Sequence, residues 1–239
     1  MLNNYIKELK KAGNPEKARI LQGFFKTGKG EYGEGDVFLG ITVPKQREIA
    51  KKYVDLEIKD LQTLLNSKIH EHRLGALFIL IMQYQKAAKI ADKKESEKIK
   101  TKIVKSYLKN TKKINNWDLV DISAPKILGD FLLNKDRNIL YKLAKSKNLW
   151  EKRISMLATY AFIRENQFDD TLKISEILVR DDHDLIHKAV GWMLREIGKK
   201  DQAVEEKFLK KYYKTMPRTM LRYAIERFDE KKRKYYMKK

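Results

Sequence analysis

One stretch of the chain, residues 152–157, reads Lys152-Arg153-Ile154-Ser155-Met156-Leu157, two basic residues followed by apolar and small ones. Two further stretches repeat this pattern: His72-Arg73-Leu74-Gly75-Ala76-Leu77 and His187-Lys188-Ala189-Val190-Gly191-Trp192. Arg153 follows Arg73 by 80 residues, about two periods, and Lys188 follows Arg153 by 35 residues. A period of 34–41 residues in a helical chain is typical of a solenoid of helix pairs, and coincidental helix spacing is the alternative.

Helical periodicity extends through the rest of the sequence. Apolar residues recur at intervals of three and four, as at Leu74, Leu77 and Ile81, without a competing alternation of two. We therefore predict an all-α solenoid of roughly a dozen or more helices, whose curvature presents a concave face lined by basic positions. The four prolines are each expected in the first turn of a helix, where no backbone N–H is needed: Pro15, Pro44, Pro125 and Pro217.

The length of 239 residues fits one large domain or two small ones, and we predict a single helical-repeat domain over residues 1–239. Glycines concentrate in one place, so residues 27–40 are predicted to connect two helices. Within them, Gly28-Lys29-Gly30-Glu31-Tyr32-Gly33 spells the G-x-G-x-x-G pattern of dinucleotide-binding proteins. That motif requires a preceding β-strand, whereas the segment before it looks helical, so no nucleotide site is expected.

The chain is strongly basic, with 53 Lys+Arg against 32 Asp+Glu and a formal net charge of +21. Residues 1–120 carry 25 basic and 14 acidic side chains, and residues 121–239 carry 28 and 18. The excess is therefore spread along a folded body rather than confined to a basic tail. Either the partner is a polyanion such as a nucleic acid, or the charge reflects a generally lysine-rich composition.

Several classes of protein are excluded by composition. The absence of cysteine excludes a disulfide scaffold, a Cys-ligated zinc site and a thiol nucleophile. The longest apolar run, residues 74–82, has nine residues, whereas a transmembrane helix needs about 20. The first residues also lack the apolar core of a signal peptide. We expect a soluble, cytoplasmic protein with no membrane partner.

Three tryptophans are the scarcest large residues, and two of them have polar companions at helical spacing. Trp117 shares a helix face with Asp121, and Trp192 shares one with Lys188 and Arg195. Aromatic rings interleaved with cations are typical of nucleic-acid surfaces, and a tryptophan packed in the core beside a capping aspartate is the alternative. Trp150, next to Leu149 at a helix start, is expected in the core.

A metal site is conceivable at His183 and His187, which lie on one helix face beside two aspartates. The sequence offers neither an H-E-x-x-H arrangement nor an obvious third ligand. We therefore interpret these histidines as part of the solvated start of a helix, with acidic residues near its N-terminus, and expect no metal.

Four segments, in the same order, resemble the bacterial alkylpurine DNA glycosylases of the DNA alkylation repair family, the AlkD-like proteins. They are Phe38-Leu39-Gly40-Ile41-x-Val43-Pro44-x-x-Arg47, Trp117-x-x-x-Asp121, Trp150-Glu151-Lys152-Arg153 and Lys188-Ala189-Val190-Gly191-Trp192-Met193-Leu194-Arg195-Glu196. The resemblance spans nearly the whole chain. The departure is the stretch Gly30–Asp36, which makes the connector longer than in the best-known members.

The resemblance implies HEAT-like repeats around duplex DNA and hydrolysis of the N-glycosidic bond of N3- or N7-alkylated purines. Asp121 would stabilise positive charge on the sugar, with Trp117 and Trp192 packing on it, and Arg153 would pair with a backbone phosphate from the groove. Further DNA contacts are expected from basic residues that flank these positions: Arg47, Lys152, Lys188 and Arg195.

The resemblance requires no cofactor and no metal, and we expect a monomer whose partner is duplex DNA with alkylated bases. Some relatives of this fold lack the catalytic pair and do not excise bases. The alternative function is therefore a noncatalytic helical-repeat protein that binds nucleic acid or a protein partner.

Overall fold

The structure, a computed structural model, describes residues 1–238. It contains two compact units, Met1–Leu119 and Val120–Lys239, whose boundary falls inside one helix. Over the described residues there is no β-sheet, only one isolated bridge between Val37 and Ile69. The predicted all-α fold of more than a dozen helices is confirmed. The single domain over residues 1–239 stays a prediction.

The first unit contains six complete helices: α1 (Leu2–Ala12), α2 (Pro15–Phe24), α3 (Val43–Lys51), α4 (Ile58–Leu65), α5 (His70–Ala87) and α6 (Lys93–Lys109). Helix α5 is its centre and packs against α3, α4 and α6. The apolar run at residues 74–82 explains this place, since a helix that is apolar on all sides must be surrounded by other elements.

The second unit begins within α7 (Trp117–Ala124). It continues through α8 (Asp130–Leu132), α9 (Asn138–Ala144), α10 (Leu149–Ala158), α11 (Tyr160–Arg164), α12 (Asp169–Leu178), α13 (Asp184–Gly198), α14 (Gln202–Tyr212), α15 (Arg218–Ala224) and α16 (Glu230–Met237). Helix α13 is its centre and packs against α10, α12, α14 and α15.

Polar caps and prolines set many of the helix starts. Asn14 caps α2, whose first residue is Pro15, and Pro44 lies in the first turn of α3. Pro217 directly precedes α15. The expectation for Pro125 is wrong, because α7 runs on through a π-helical turn, Pro125–Gly129, into α8. The wider turn accommodates the missing N–H that would otherwise break the helix.

No helix lies between the end of α2 and the start of α3, the stretch that contains the predicted connector. Gly30, Gly35 and Gly40 adopt φ near +80°, a conformation that residues with a Cβ avoid. Across residues 1–238, none of the helices combines the length and the apolar character needed to cross a membrane.

Candidate active site

Helix α10 carries Arg153 and begins with a well-formed cap. The Asn148 side chain accepts hydrogen bonds from the backbone N–H groups of Trp150 and Glu151, which fixes the first turn. Trp150 is buried, as predicted. Arg153 follows Trp150 by three residues and therefore lies on the same buried side of the helix.

Arg153 holds Asp121 of α7 in a two-point ion pair. Its Nε donates to Asp121 Oδ1 and its Nη2 donates to Asp121 Oδ2, each over 2.8 Å. The carboxylate side chain is 18% exposed, whereas the Arg153 side chain is 5% exposed. Asp121 thus presents a fixed, partly accessible carboxylate, with the guanidinium that orients it lying beneath the surface.

A third segment completes the environment of Arg153. Its Nη1 donates to the backbone carbonyl of Leu185, in the first turn of α13, over 2.6 Å. The N–H of Leu185 donates to Nδ1 of His183, which caps this helix, so the predicted helix start is confirmed. Arg153 is therefore buried, and the expectation of a guanidinium open to DNA phosphate is wrong: its charge is used inside the protein.

The two histidines considered for metal binding have other partners. His183 accepts the capping hydrogen bond, and Nε2 of His187 lies 2.5 Å from the backbone carbonyl oxygen of Asp181. Residues 1–238 contain no group of three or more His, Asp or Glu side chains arranged to hold a metal ion.

Trp192 is half-buried on α13, and its ring is held at two points. Its indole N–H donates to Oε1 of Glu196 over 3.0 Å, and its ring centroid lies 6.3 Å from that of Tyr160. The preceding residue must be glycine, because a Cβ at Gly191 would lie 2.4 Å from the Met220 carbonyl oxygen of α15. This close packing of α13 on α15 fixes the position of the Trp192 backbone.

Trp117 is the first residue of α7 and belongs to the first unit, Met1–Leu119. Its side chain is half-buried. Its ring stacks on Phe25 at a centroid distance of 5.1 Å and an interplanar angle of 18°. The ring of Phe24 meets it edge-on at 5.9 Å. One side of the indole is thus supported by a layer of protein rather than by solvent.

The cations expected to contact DNA differ in their accessibility. Lys152 pairs with Asp181 and Arg195 pairs with Glu226, and these two side chains are only 19% and 15% exposed. They are therefore less open than expected. Lys188 is more accessible but pairs with Asp184 over 2.7 Å. Arg47 is exposed and lies 5.1 Å from the ring centroid of Phe78.

Three contacts around the predicted residues, two in the second unit and one in the first, were not anticipated from the sequence. The Leu185 carbonyl holds Arg153, Glu196 holds the indole of Trp192, and Asp118 binds His70 beside Trp117. Only Glu196 carries a readable signal, since it follows Trp192 by four residues on one helix.

Comparison with known proteins gives one family and several similar structures. A family model described as "DNA alkylation repair enzyme" matches residues 5–228. No curated protein matches the chain significantly.

The fold is similar to that of a predicted DNA alkylation repair enzyme from Enterococcus faecalis, with 17% identity, a TM-score of 0.65, and coverage of 91% of this chain and 97% of that one. It is also similar to AlkD2 from Streptococcus mutans, with 17% identity, a TM-score of 0.56, and coverage of 96% and 100%. The predicted all-α helical-repeat fold is confirmed by these likenesses.

Proposed function

Because the chain belongs to the DNA alkylation repair enzyme family, we propose that it is a monofunctional DNA glycosylase acting on N3- or N7-alkylated purines in duplex DNA. The observation that carries the proposal is the carboxylate of Asp121, which is partly exposed and held at both oxygens by Arg153. A fixed anion of this kind suits a reaction that develops positive charge.

The proposed reaction needs no strong acid catalyst. An N3- or N7-alkylated purine is cationic, so the C1′–N bond breaks with its electron pair moving to the base, which leaves neutral. Water then adds its oxygen to C1′ and releases one proton. Asp121 stabilises the positive sugar that forms between these events and orients the water.

Arg153 acts in this proposal as a positioning residue. Its planar guanidinium matches the two oxygens of Asp121, and its third contact, to the Leu185 carbonyl, fixes the plane of the pair. We assign no phosphate contact to Arg153, because its guanidinium is buried and already paired with the carboxylate of Asp121.

The aromatic residues supply faces for the deoxyribose. Trp192 is held by Glu196, and its ring offers an electron-rich face to a cationic sugar. Trp117 keeps the same proposed role, and its support by Phe25 leaves less freedom for the ring to turn away. Phosphate contacts are assigned to Arg47 and Lys188, with Lys152 and Arg195 joining if their ion pairs exchange for phosphate.

A second candidate is a noncatalytic helical-repeat protein that binds DNA. One observation favours it: an aspartate with both oxygens engaged by a buried arginine also has the geometry of a purely structural ion pair. The two candidates differ in whether the carboxylate acts on bound DNA.

The experiment is a base-release assay. Purified protein is incubated with duplex DNA containing a single N7-methylguanine, and the free base is quantified against the spontaneous loss from the same duplex. A second duplex carries N3-methyladenine, and an unmodified duplex is the control. Release above the spontaneous rate supports the glycosylase. Binding without release favours the noncatalytic candidate.

A further inference from the structure

A buried charged cluster stands beside Trp117, built from three separate segments of the first unit. His70, the first residue of α5, places Nδ1 3.1 Å from Oδ2 of Asp36 in the connector. Its Nε2 lies 2.8 Å from Oδ2 of Asp118 in α7. Arg73, one turn further along α5, donates to Asp36 over 2.7 Å. The side chain of His70 is only 2% exposed.

The geometry defines the charge of His70. Both ring nitrogens face carboxylate oxygens, and only an imidazolium can donate a hydrogen bond from each nitrogen. Burial opposes this charge, but Asp118 and Asp36 outweigh burial and the repulsion from Arg73, and raise the pKa of His70 to about 9. The cluster then holds two cations and two anions, which is what permits it to be buried.

Stacked rings give His70 a second link to Trp117. The rings of Phe38 and His70 stack at 4.5 Å, and those of Phe25 and Phe38 stack at 5.1 Å. Phe25 in turn stacks on Trp117. The ring of Trp117 is therefore connected to His70 through the stacked rings, and its backbone is connected through the neighbouring residue, Asp118. Together these contacts restrict both the backbone and the indole of Trp117.

The long connector is what makes this arrangement possible, because it supplies Asp36. It lies tightly against the end of α2: a Cβ on Gly33 would stand 2.4 Å from the Phe25 carbonyl oxygen and 3.5 Å from Nδ2 of Asn116. Asn116 also accepts the N–H of Trp117 at the start of α7. The connector thus lies close to Phe25, which stacks on the indole, and to Asn116, which holds the backbone N–H of Trp117.

We propose that His70 is a positioning residue for Trp117, and that the connector serves the active site by supplying Asp36 to hold His70. The assignment of a role in excision rests on the proposed glycosylase function. The positioning itself does not, since it concerns the orientation of one indole ring.

The test compares two histidine substitutions two residues apart on α5. His70→Gln removes the imidazolium. His72→Gln removes a buried histidine for which the described residues show one side-chain hydrogen bond, to Ser67. Three measurements are made on each purified variant: a melting curve, the indole N–H resonance of Trp117, and the single-turnover rate of excision. The resonance is assigned by its loss in Trp117→Phe.

In the wild type, we expect the Trp117 resonance to titrate with a midpoint near pH 9, where His70 loses its proton. His70→Gln should shift this resonance at pH 7.5, abolish the titration, and slow excision by about 10- to 100-fold through misplacement of the ring. His72→Gln should keep the titration and the rate. The groups facing His70 whose titration must be separated from its own are Asp36, Arg73 and Asp118.

A folded His70→Gln protein with an unshifted Trp117 resonance would overturn the proposal, whatever its activity. If His70→Gln does not fold, Asp36→Asn replaces it, because this change keeps the shape while weakening the hold on His70. It should lower the midpoint of the Trp117 titration, and an unchanged midpoint counts against the proposal. A wild type that releases no base would refute the glycosylase function alone, since the resonance measurements still decide the positioning.

Discussion

Arg153 donates to both carboxylate oxygens of Asp121 over equal distances of 2.8 Å, from a helix whose start lies 28 residues beyond Asp121 in the sequence. The arginine is buried and the aspartate is partly exposed. This asymmetry gives each residue a different part: Asp121 meets the substrate, and Arg153 fixes the direction in which it points.

Arg153→Lys should disturb the orientation of the Asp121 carboxylate while keeping a positive charge beside it. Lysine keeps one positive charge but cannot grip both oxygens, so we expect excision to slow by about 10-fold or more while the protein stays folded. Arg153→Ala leaves a carboxylate without its buried partner and should lower the free energy of unfolding by about 3–5 kcal/mol. Single-turnover rates and denaturant titrations measure the two effects.

A matched control exists in the same unit. Arg137 and Asp170 form a comparable ion pair, with side chains 17% and 18% exposed. Arg137→Lys should cost stability but leave the rate of the folded protein at the wild-type value. If both lysine variants slow excision equally, the effect is general loosening of the helices and Arg153 has no special role.

Binding to duplex DNA should weaken steeply with salt. If the protein neutralises about 5 phosphates, the logarithm of the association constant should fall against that of the salt concentration with a slope of roughly −4 to −5. Arg47→Ala should reduce the slope by about 1 without changing sequence preference. A slope near zero would show that the charge of +21 reflects composition and not a nucleic-acid partner.

Stability should fall at alkaline pH because of His70. Its pKa is about 9 in the folded protein against 6.5 ordinarily, so the folded state holds a proton that the unfolded state has lost between these values. The stabilisation, up to about 3 kcal/mol, is complete below pH 6.5 and disappears as the pH rises through 9. Denaturant titrations from pH 6 to 10 should show the full decline in the wild type and in His72→Gln, and a decline smaller by the His70 contribution in His70→Gln.

Glu205 makes a second, separable contribution. Burial and Glu206 raise its pKa to about 9, against the opposing charge of Arg195, and its Oε1 has no hydrogen-bond partner within residues 1–238. Because the folded protein keeps Glu205 protonated while the unfolded chain ionises it, the free energy of unfolding falls as the pH rises above 4.5. Glu205→Gln, a neutral mimic, should raise the free energy of unfolding at pH 8 by roughly 1–3 kcal/mol. A loss of stability at pH 8 would instead indicate an ionised Glu205 paired with Arg195.

Local patterns predict the helices well and their partners poorly. The apolar run at residues 74–82 predicts a buried helix because a helix buried on all sides needs apolar residues at successive positions. The continuation of a helix through Pro125 has no such pattern, since it depends on a π-helical turn that the surrounding packing stabilises.

For the candidate site, too, the sequence identifies individual residues but not the partners that they meet in the fold. Asp121 and the tryptophans stand out by residue type and helical spacing, and the burial of Arg153 could be read from its phase with Trp150 and Leu157. Its partner could not, because Asp121 lies 32 residues away. The cluster around His70 joins residues 34 and 48 positions apart, and only the folded chain brings them together.

The central claim is that the carboxylate of Asp121 stabilises the developing charge on the sugar. The most direct measurement is the single-turnover rate at which Asp121→Asn, at saturating enzyme, releases N7-methylguanine from duplex DNA, with a melting curve on the same sample and Asp170→Asn as the control. We predict a rate lower by 10²–10³, or about 2.7–4 kcal/mol, with DNA binding unchanged or tighter and Asp170→Asn at the wild-type rate. A folded Asp121→Asn protein that excises the base at the wild-type rate would contradict the account.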